Sequence, residues 1–188
     1  MTILGRSIVA GILAIVLLVP SLAGASWHQH APKFSGDMRD ASILKNPRPV
    51  PNYAFKGPDG EVMTLADLKG KVVFLNLWAT WCPPCIEEMP SLNALQGKLG
   101  GDKFEVLALS LDNSRALVRK FYDAFKLDKL AIYMGDQKAM QAFASGSLPT
   151  TLFISPDSNI VGALLGPADW SSDEAEAFAR YFVENGQE

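Results

Sequence analysis

The chain has 188 residues, of which 48% are hydrophobic and 20% charged, and its formal net charge is -3. This composition supports one ordinary core, and the absence of a lysine- or arginine-rich run argues against nucleic acid as a partner. Only two cysteines occur, Cys82 and Cys85, which excludes a scaffold held together by several disulfides.

Residues 1–25 have the features of a targeting segment. Arg6 supplies a positive charge, and an apolar run from Ile8 to Val19 ends before Pro20. Ala23-Gly24-Ala25 then offers a small-residue cleavage site, which predicts a signal peptide. If it is not cleaved, the run approaches the roughly 18 residues of a membrane helix, so a membrane anchor stays open. Both alternatives predict a periplasmic location for the rest of the chain.

Residues 26–48 are predicted to form a linker with limited structure, because prolines, a glycine and mixed charges interrupt any apolar periodicity. If cleavage follows Ala25, the mature chain begins Ser26-Trp27-His28. The amine, amides and imidazole of such a terminus can bind Cu(II) in a square plane, and a disordered start without metal is the alternative. The folded domain is predicted over residues 49–188.

Within the domain, a turn at Gly57–Gly60 and a short helical turn from Thr64 to Leu68 precede an alternation of strands and helices. The predicted strands are Lys71 to Trp78, Phe104 to Leu111, Ala131 to Tyr133, Thr150 to Ile154 and Asn159 to Leu165. The predicted helices are Pro83 to Leu99, Ser114 to Phe125, Gln137 to Ala144 and Ser171 to Glu184.

This order of elements predicts an α/β fold with a central mixed β-sheet flanked by helices. The first strand, helix and second strand predict a parallel crossover, and the turn Pro156-Asp157-Ser158 predicts an antiparallel hairpin. The second helix is predicted to turn four apolar side chains inward: Leu117, Val118, Phe121 and Phe125.

The sequence Cys82-Pro83-Pro84-Cys85 lies where the central strand meets the next helix. Because amides and the positive dipole end at a helix N-terminus stabilise a thiolate, Cys82 is predicted to have a lowered pKa and to be the attacking sulfur. Cys85, one turn further in, is predicted to resolve the mixed disulfide. Pro83 and Pro84 are tolerated because first-turn amides have no partner within the helix.

Two alternatives to a redox role are a zinc site and an inert bridge. Structural zinc requires four ligands, and the only histidines, His28 and His30, lie well before the domain, so no metal is expected at the cysteines. A bridge that closes so small a loop constrains the unfolded chain very little. The position of the pair therefore favours redox chemistry, with no cofactor.

Glu88 is the candidate proton carrier. It follows Cys85 by three residues, so the helix places both on one face, whereas Glu87 is rotated away. We expect a half-buried carboxylate that points toward the Cys85 sulfur, with coupled and raised pKa values for the pair. An exposed helix glutamate without a catalytic role is the alternative.

Four aromatic residues are assigned to packing. Trp78 and Trp81 are expected to pack beside the cysteines, exclude water and shape the substrate face. Phe143 and Trp170 carry no distinctive pattern and are interpreted as packing residues.

The sequence resembles the thioredoxin superfamily, specifically its exported TlpA/ResA/CcmG-type branch, in three features. These are the segment from Trp81 to Cys85, Pro90, and the segment from Ser147 to Thr151 before an apolar strand. The resemblance implies a thioredoxin-like fold with an N-terminal extension and a short insert before a cis-proline. In thioredoxins proper an acidic residue stands where this chain has Asn76, and the ResA-type branch has a glutamate where Glu88 stands.

The resemblance also implies that Pro149 is cis and faces the disulfide, and that the Leu148-Pro149 backbone binds the extended chain of the substrate. A trans proline that merely opens a strand is the alternative. Trp81, Pro83 and Pro84 are expected to complete the substrate-binding face.

The predicted function is reduction of protein disulfides: Cys82 attacks, Cys85 resolves, and Glu88 handles the proton. The resemblance implies a membrane thiol reductant of the CcdA or DsbD type as the partner that restores the dithiol. It implies substrates in cytochrome c maturation, such as apocytochrome c, or copper-ligating cysteines during oxidase assembly.

Two other functions stay open at this point. One is a DsbA-like oxidase, which the spacing of about 60 residues between Cys85 and Pro149 disfavours because it leaves no room for a large helical insert. The other is a copper-binding assembly factor in which Cys82 and Cys85 hold Cu(I).

Overall fold

The computed structural model describes residues 35–143 and 146–186. The predicted signal peptide or anchor and the hypothetical Cu(II) site at residues 26–28 lie outside the described residues. None of the helices within these two ranges is both long enough and apolar enough to cross a bilayer.

Eight strands and four helices follow one another along the described part of the chain. The strands are β1 (Ser42–Pro49), β2 (Phe55–Lys56), β3 (Val62–Met63), β4 (Val72–Trp78), β5 (Phe104–Ser110), β6 (Tyr133–Met134), β7 (Thr150–Ile154) and β8 (Asn159–Leu165). The helices are α1 (Pro83–Leu99), α2 (Arg115–Phe125), α3 (Gln137–Phe143) and α4 (Asp173–Asn185), and a short 3-10 turn spans Leu65–Leu68.

All eight strands form one mixed sheet in the order β1-β8-β7-β4-β5-β6-β2-β3. β4 pairs in parallel with β5 and antiparallel with β7, and β7 forms the predicted hairpin with β8. Every residue of β4 is buried, which is expected for a central strand covered on both faces. The predicted α/β fold is confirmed.

β1 corrects the prediction that residues 26–48 have limited structure. It pairs antiparallel with β8, from Ser42 opposite Ala163 to Pro49 opposite Asn159. The sequence did not predict this strand because most of its residues are exposed and it contains prolines. Sheets tolerate proline in an edge strand. The apolar alternation that marks a half-buried strand is therefore missing from its sequence.

Between α2 and the cis-proline, the described chain forms β6 and α3. β6 extends the sheet beside β5, with Leu109 opposite Tyr133, and also pairs with β2. This part of the described chain thus adds an internal strand and a seven-residue helix to the fold, without a separate helical subdomain.

α2 corrects the predicted inward face of the second helix. Ser114 caps it as expected, with its side chain accepting a hydrogen bond from the Leu117 backbone N–H. Val118 is buried, but Leu117 is 49% exposed and Phe125 45% exposed. The prediction was wrong for these two residues. The buried face of the helix is narrower than the face that all four apolar residues would span.

An aromatic cluster around Phe74 joins the sheet to α4. The ring centroid of Phe74 lies between 4.8 and 6.0 Å from those of five other aromatic residues: Phe104, Phe153, Trp170, Phe178 and Phe182. Because aromatic pairs add to the free energy of burial, this cluster fixes α4 and the segment before it against the central strand.

We predict that Phe74→Leu lowers the free energy of unfolding by about 1–3 kcal/mol, because the smaller side chain leaves a cavity in this cluster. Phe125→Leu makes the same chemical change on an exposed site and should stay within about 0.5 kcal/mol of the unmodified protein. Urea unfolding of the two variants checks the difference, and equal losses would show that the Phe74 cluster does not dominate the core.

Candidate active site

The two cysteines lie at the start of α1, directly after the central strand. Cys82 is the N-cap residue, its carbonyl accepts from the Ile86 N–H at 3.1 Å, and a disulfide joins it to Cys85. Cys82 is 5% exposed and Cys85 is fully buried. Cys82 is therefore the slightly more exposed of two buried cysteines.

Two prolines occupy the first two positions of α1 and change its expected electrostatics. Pro83 and Pro84 have no N–H group, so Cys85 is the first residue of the helix that carries one. The sequence argument that several amides stabilise a Cys82 thiolate is thereby weakened. What remains is mainly the positive end of the helix dipole.

A buried aspartate at the end of β5 holds the segment before Cys82. The Asp112 carboxylate accepts from the Thr80 N–H at 2.9 Å, from the Thr80 hydroxyl at 2.7 Å and from the Ser110 hydroxyl at 2.8 Å. Sequence reasoning missed this residue. An acidic residue directly after a strongly apolar strand, at the sheet end that carries the cysteines, was the available signal.

We predict that Asp112→Ala lowers the free energy of unfolding by about 1–3 kcal/mol, because both Thr80 donors lose their acceptor in a largely buried site. Asp102→Ala, at an exposed position, serves as the control and should have little effect. Urea titration measures both variants, and a loss no larger than that of the control would contradict the clamp.

The segment before β7 contains the cis peptide bond between Leu148 and Pro149, which confirms the geometry that the resemblance implied. Thr150 lies opposite Leu77, so Pro149 is at the end of β4 that leads to the cysteines. Pro149 is buried and Leu148 half-buried. Substrate binding by this backbone stays a prediction.

The remaining predicted substrate-binding residues are accessible to different degrees. Trp81 is 63% exposed and Pro83 is exposed, whereas Pro84 is half-buried. The expectation that Trp81 excludes water from the cysteines and shapes the substrate face stays a prediction. Trp78 is fully buried and packs against Phe121, with ring centroids 5.2 Å apart.

Glu88 is more deeply buried than predicted, with 3% of its surface exposed. Its Oε1 accepts from Asn76 Nδ2 at 2.8 Å, and its Oε2 accepts from Trp170 Nε1 at 3.0 Å and from the Ala168 N–H at 3.3 Å. Asn76 Nδ2 also donates to Thr151 Oγ1 at 3.0 Å. The expected half-buried carboxylate is instead an enclosed one, bound by three donors from β4 and from the segment after β8.

Burial raises the pKa of Glu88 from 4.5 to about 7, and its hydrogen bonds from Trp170, Asn76 and Ala168 oppose part of that rise. The sequence argument anticipated a raised pKa. It missed Trp170, which was interpreted as packing, and it named Asn76 only as the position of a missing acid. No local pattern marks either partner, because the contact with Trp170 spans 82 residues.

A surface groove of about 560 Å³ reaches this carboxylate-bearing residue. Its lining residues come from α1 and from the segment after β8: Glu87, Glu88, Pro90, Ser91, Ala94, Pro167, Ala168, Asp169 and Ser171. Neither cysteine lines it, so the groove is separate from the disulfide.

Because the pKa of Glu88 is raised in the folded protein, this residue favours folding below about pH 4.5, and that contribution is lost as the pH rises through about 7. At about 1.4 kcal/mol for each pKa unit, the loss between about pH 5 and about pH 8 is about 2–3 kcal/mol.

We therefore predict that unfolding of the oxidised protein becomes easier over this interval, and that Glu88→Gln removes most of the dependence. Denaturant titrations of both proteins at the two pH values measure it. Equal pH dependence of variant and unmodified protein would contradict a raised pKa at this residue.

Candidate metal ligands are not clustered among the described side chains. Within residues 35–143 and 146–186, no group of three or more His, Cys, Asp or Glu side chains is placed to hold a metal ion. Both histidines of the chain, His28 and His30, lie outside these ranges.

The sequence matches the model of the Redoxin family over residues 33–180. The chain belongs to the Redoxin family. A curated relative of this Redoxin protein, thiol-disulfide oxidoreductase ResA of Bacillus thuringiensis (strain Al Hakam), is 33% identical over 153 residues, which cover 81% of this chain and 84% of the relative. The resemblance to the TlpA/ResA/CcmG-type branch is thereby confirmed, and the Redoxin protein is a protein thiol-disulfide oxidoreductase.

Solved structures agree with the fold. A thiol:disulfide interchange protein of the thioredoxin family from Chlorobium tepidum TLS has a TM-score of 0.62 at 23% identity, covering 73% of this chain and 97% of that chain. The pneumococcal exposed lipoprotein thioredoxin from Streptococcus pneumoniae strain TIGR4 has a TM-score of 0.56 at 25% identity, covering 70% of this chain and 98% of that chain. The first of these likenesses supports the fold alone.

Proposed function

We propose that this Redoxin protein reduces disulfides of protein substrates outside the cytoplasm. The observation that carries the proposal is the juxtaposition, at the start of α1, of a slightly exposed Cys82, a fully buried Cys85 and, one turn later, an enclosed carboxylate at Glu88. Such a site holds an attacking sulfur, a resolving sulfur and a base in sequence along one helix.

The reaction begins with attack of the Cys82 thiolate on a substrate disulfide, which forms a mixed disulfide and releases one substrate thiolate. Cys85 then gives its proton to Glu88 and attacks the Cys82 sulfur. This step releases the second substrate sulfur as a thiolate and leaves the Cys82–Cys85 disulfide. Two electrons pass from the enzyme to the substrate, and both released thiolates take up protons.

Glu88 suits the proton step because its pKa of about 7 lies near neutral pH. A carboxyl group with such a pKa is present in both protonation states, so it accepts the Cys85 proton and also returns it. The groove beside α1 is lined in part by Glu88 and by neither cysteine, so it stays open while a substrate covers Cys82.

The two prolines of α1 favour reduction over oxidation as the direction of reaction. A strongly oxidising dithiol is one whose reduced form is stabilised, chiefly through its thiolate. Pro83 and Pro84 remove two N–H groups from the helix end that faces Cys82, so the thiolate gains less. The described chain between α2 and Pro149 forms β6 and α3, which differ from the large helical insert expected of a DsbA-like oxidase.

Location and partners follow from the chain's own features and its relatives. The N-terminal segment supports export, and a structural relative is an exposed lipoprotein. Because this chain has no third cysteine, electrons for the next cycle must come from another protein. We propose a membrane thiol reductant of the CcdA or DsbD type, and substrates whose cysteine pairs bind heme in apocytochrome c or copper in an oxidase.

The test is capture of substrates on a Cys85→Ser variant, which retains the attacking sulfur and lacks the resolving one. The variant is expressed in a bacterium that exports it, and its adducts are identified by mass spectrometry. We expect disulfide-linked adducts at Cys82 that contain cytochrome or oxidase subunits. The variant with both cysteines changed to serine is the control. Capture of many unrelated exported proteins would instead support the oxidase.

A substitution at Pro84 tests the direction of the reaction. Pro84→Ala restores an N–H at the second position of α1, so we expect the pKa of Cys82 to fall by about one unit and the redox potential to become more oxidising. Thiolate absorbance and equilibration with glutathione measure the two quantities. Pro90→Ala, in the interior of the same helix, is the matched control, and identical behaviour of both variants would remove the proline argument.

A further inference from the structure

Trp170 has a role in this structure beyond filling the core. It lies in the segment between β8 and α4 and is fully buried. Its indole N–H donates to Glu88 Oε2 at 3.0 Å, and its backbone N–H donates to Ser91 Oγ at 3.0 Å. Both bonds run to α1, so Trp170 fixes this segment to the helix that carries the cysteines.

Burial alone does not require this arrangement. Trp78 is equally buried, yet among the described residues nothing accepts a hydrogen bond from its indole nitrogen. The indole of Trp170, by contrast, is directed at one of the two buried carboxylates of the described chain, the other being Asp112. The bond is thus a specific pairing and not a general property of tryptophans in this core.

We propose that Trp170 is a positioning residue for the proton step, holding the Glu88 carboxylate in its buried site and stabilising its ionised form. The inference rests on the proposed function of Glu88. The other donor to the same oxygen, the Ala168 N–H, is longer at 3.3 Å, so the indole is the shorter of the two bonds at Oε2. Consistent with this, Trp170 is the foremost of the groups that oppose the rise in the pKa of Glu88.

Few other charges act on this carboxylate. On α1 its titrating neighbours are Cys85 and Glu87, and the segment after β8 contributes Asp169, whose side chain accepts hydrogen bonds from Ser171. Glu87 and Asp169 are exposed, so solvent screens them. The strands β4 and β7 present Asn76 and Thr151, which do not titrate.

The first experiment needs no substitution at Trp170. In protein with 15N-labelled tryptophan, the Nε1–H resonance of Trp170 should shift with pH, with a midpoint near that of Glu88, while the Trp78 resonance stays constant as an internal control. In Glu88→Gln the shift should vanish. A Trp170 resonance that does not change between about pH 5 and about pH 9 would overturn the proposal.

The second experiment tests the role in the reaction. Reduced protein is mixed with Ellman's reagent, and the slow release of the second thionitrobenzoate reports attack of Cys85 on the mixed disulfide at Cys82. Trp170→Phe keeps an aromatic ring but loses the donor, so the carboxylate is less stable. We expect the pH midpoint of this phase to rise by about one unit, with its plateau rate little changed.

Trp78→Phe is the matched control, because it removes an indole N–H that no described residue accepts, and it should leave the midpoint in place. If Glu88→Gln changes the pH profile but Trp170→Phe does not, the positioning role is refuted and the role of Glu88 survives. If Glu88→Gln also leaves the profile unchanged, the proposed proton carrier fails and the inference about Trp170 fails with it.

Discussion

The burial of one carboxylate organises this end of the molecule. Desolvation of a charged carboxylate costs more than a typical hydrogen bond returns, so a glutamate enclosed as Glu88 is requires donors from its surroundings. It receives them from Asn76 on the central strand and from Ala168 and Trp170 in the segment after β8. The central strand, α1 and this segment must therefore pack closely enough to bring all three donors within hydrogen-bond distance of the carboxylate.

The Cys82 sulfur receives fewer hydrogen-bond donors than the Glu88 carboxylate does. Prolines at the first two positions of α1 withhold N–H groups from Cys82, while the donors around Glu88 offset only part of its desolvation. A thiolate that is poorly stabilised is a better electron donor, and a carboxylate that is poorly stabilised is a better base. Both departures from ideal stabilisation favour the same chemical direction, transfer of electrons from the dithiol to a substrate.

Sequence reasoning succeeded where the physical cause was local. The ends of α1 could be read from Pro83 and Gly100, and the buried central strand from an apolar run without alternation. It failed for β1, whose pairing with β8 depends on backbone atoms of a largely exposed strand. It also failed for the partners of Glu88, since only the folded chain brings Trp170 from 82 residues away to the carboxylate.

The segment from Gly166 to Trp170 is attached at both of its ends. The Gly166 N–H donates to the Pro149 carbonyl at 3.0 Å, and Trp170 is bonded to α1. Two fixed anchor points set the number of residues that fit between them, however freely the side chains in between are exchanged. Residues 167–169, between these two anchors, should therefore accept substitutions far more readily than insertions or deletions, both in natural variants and in engineered ones.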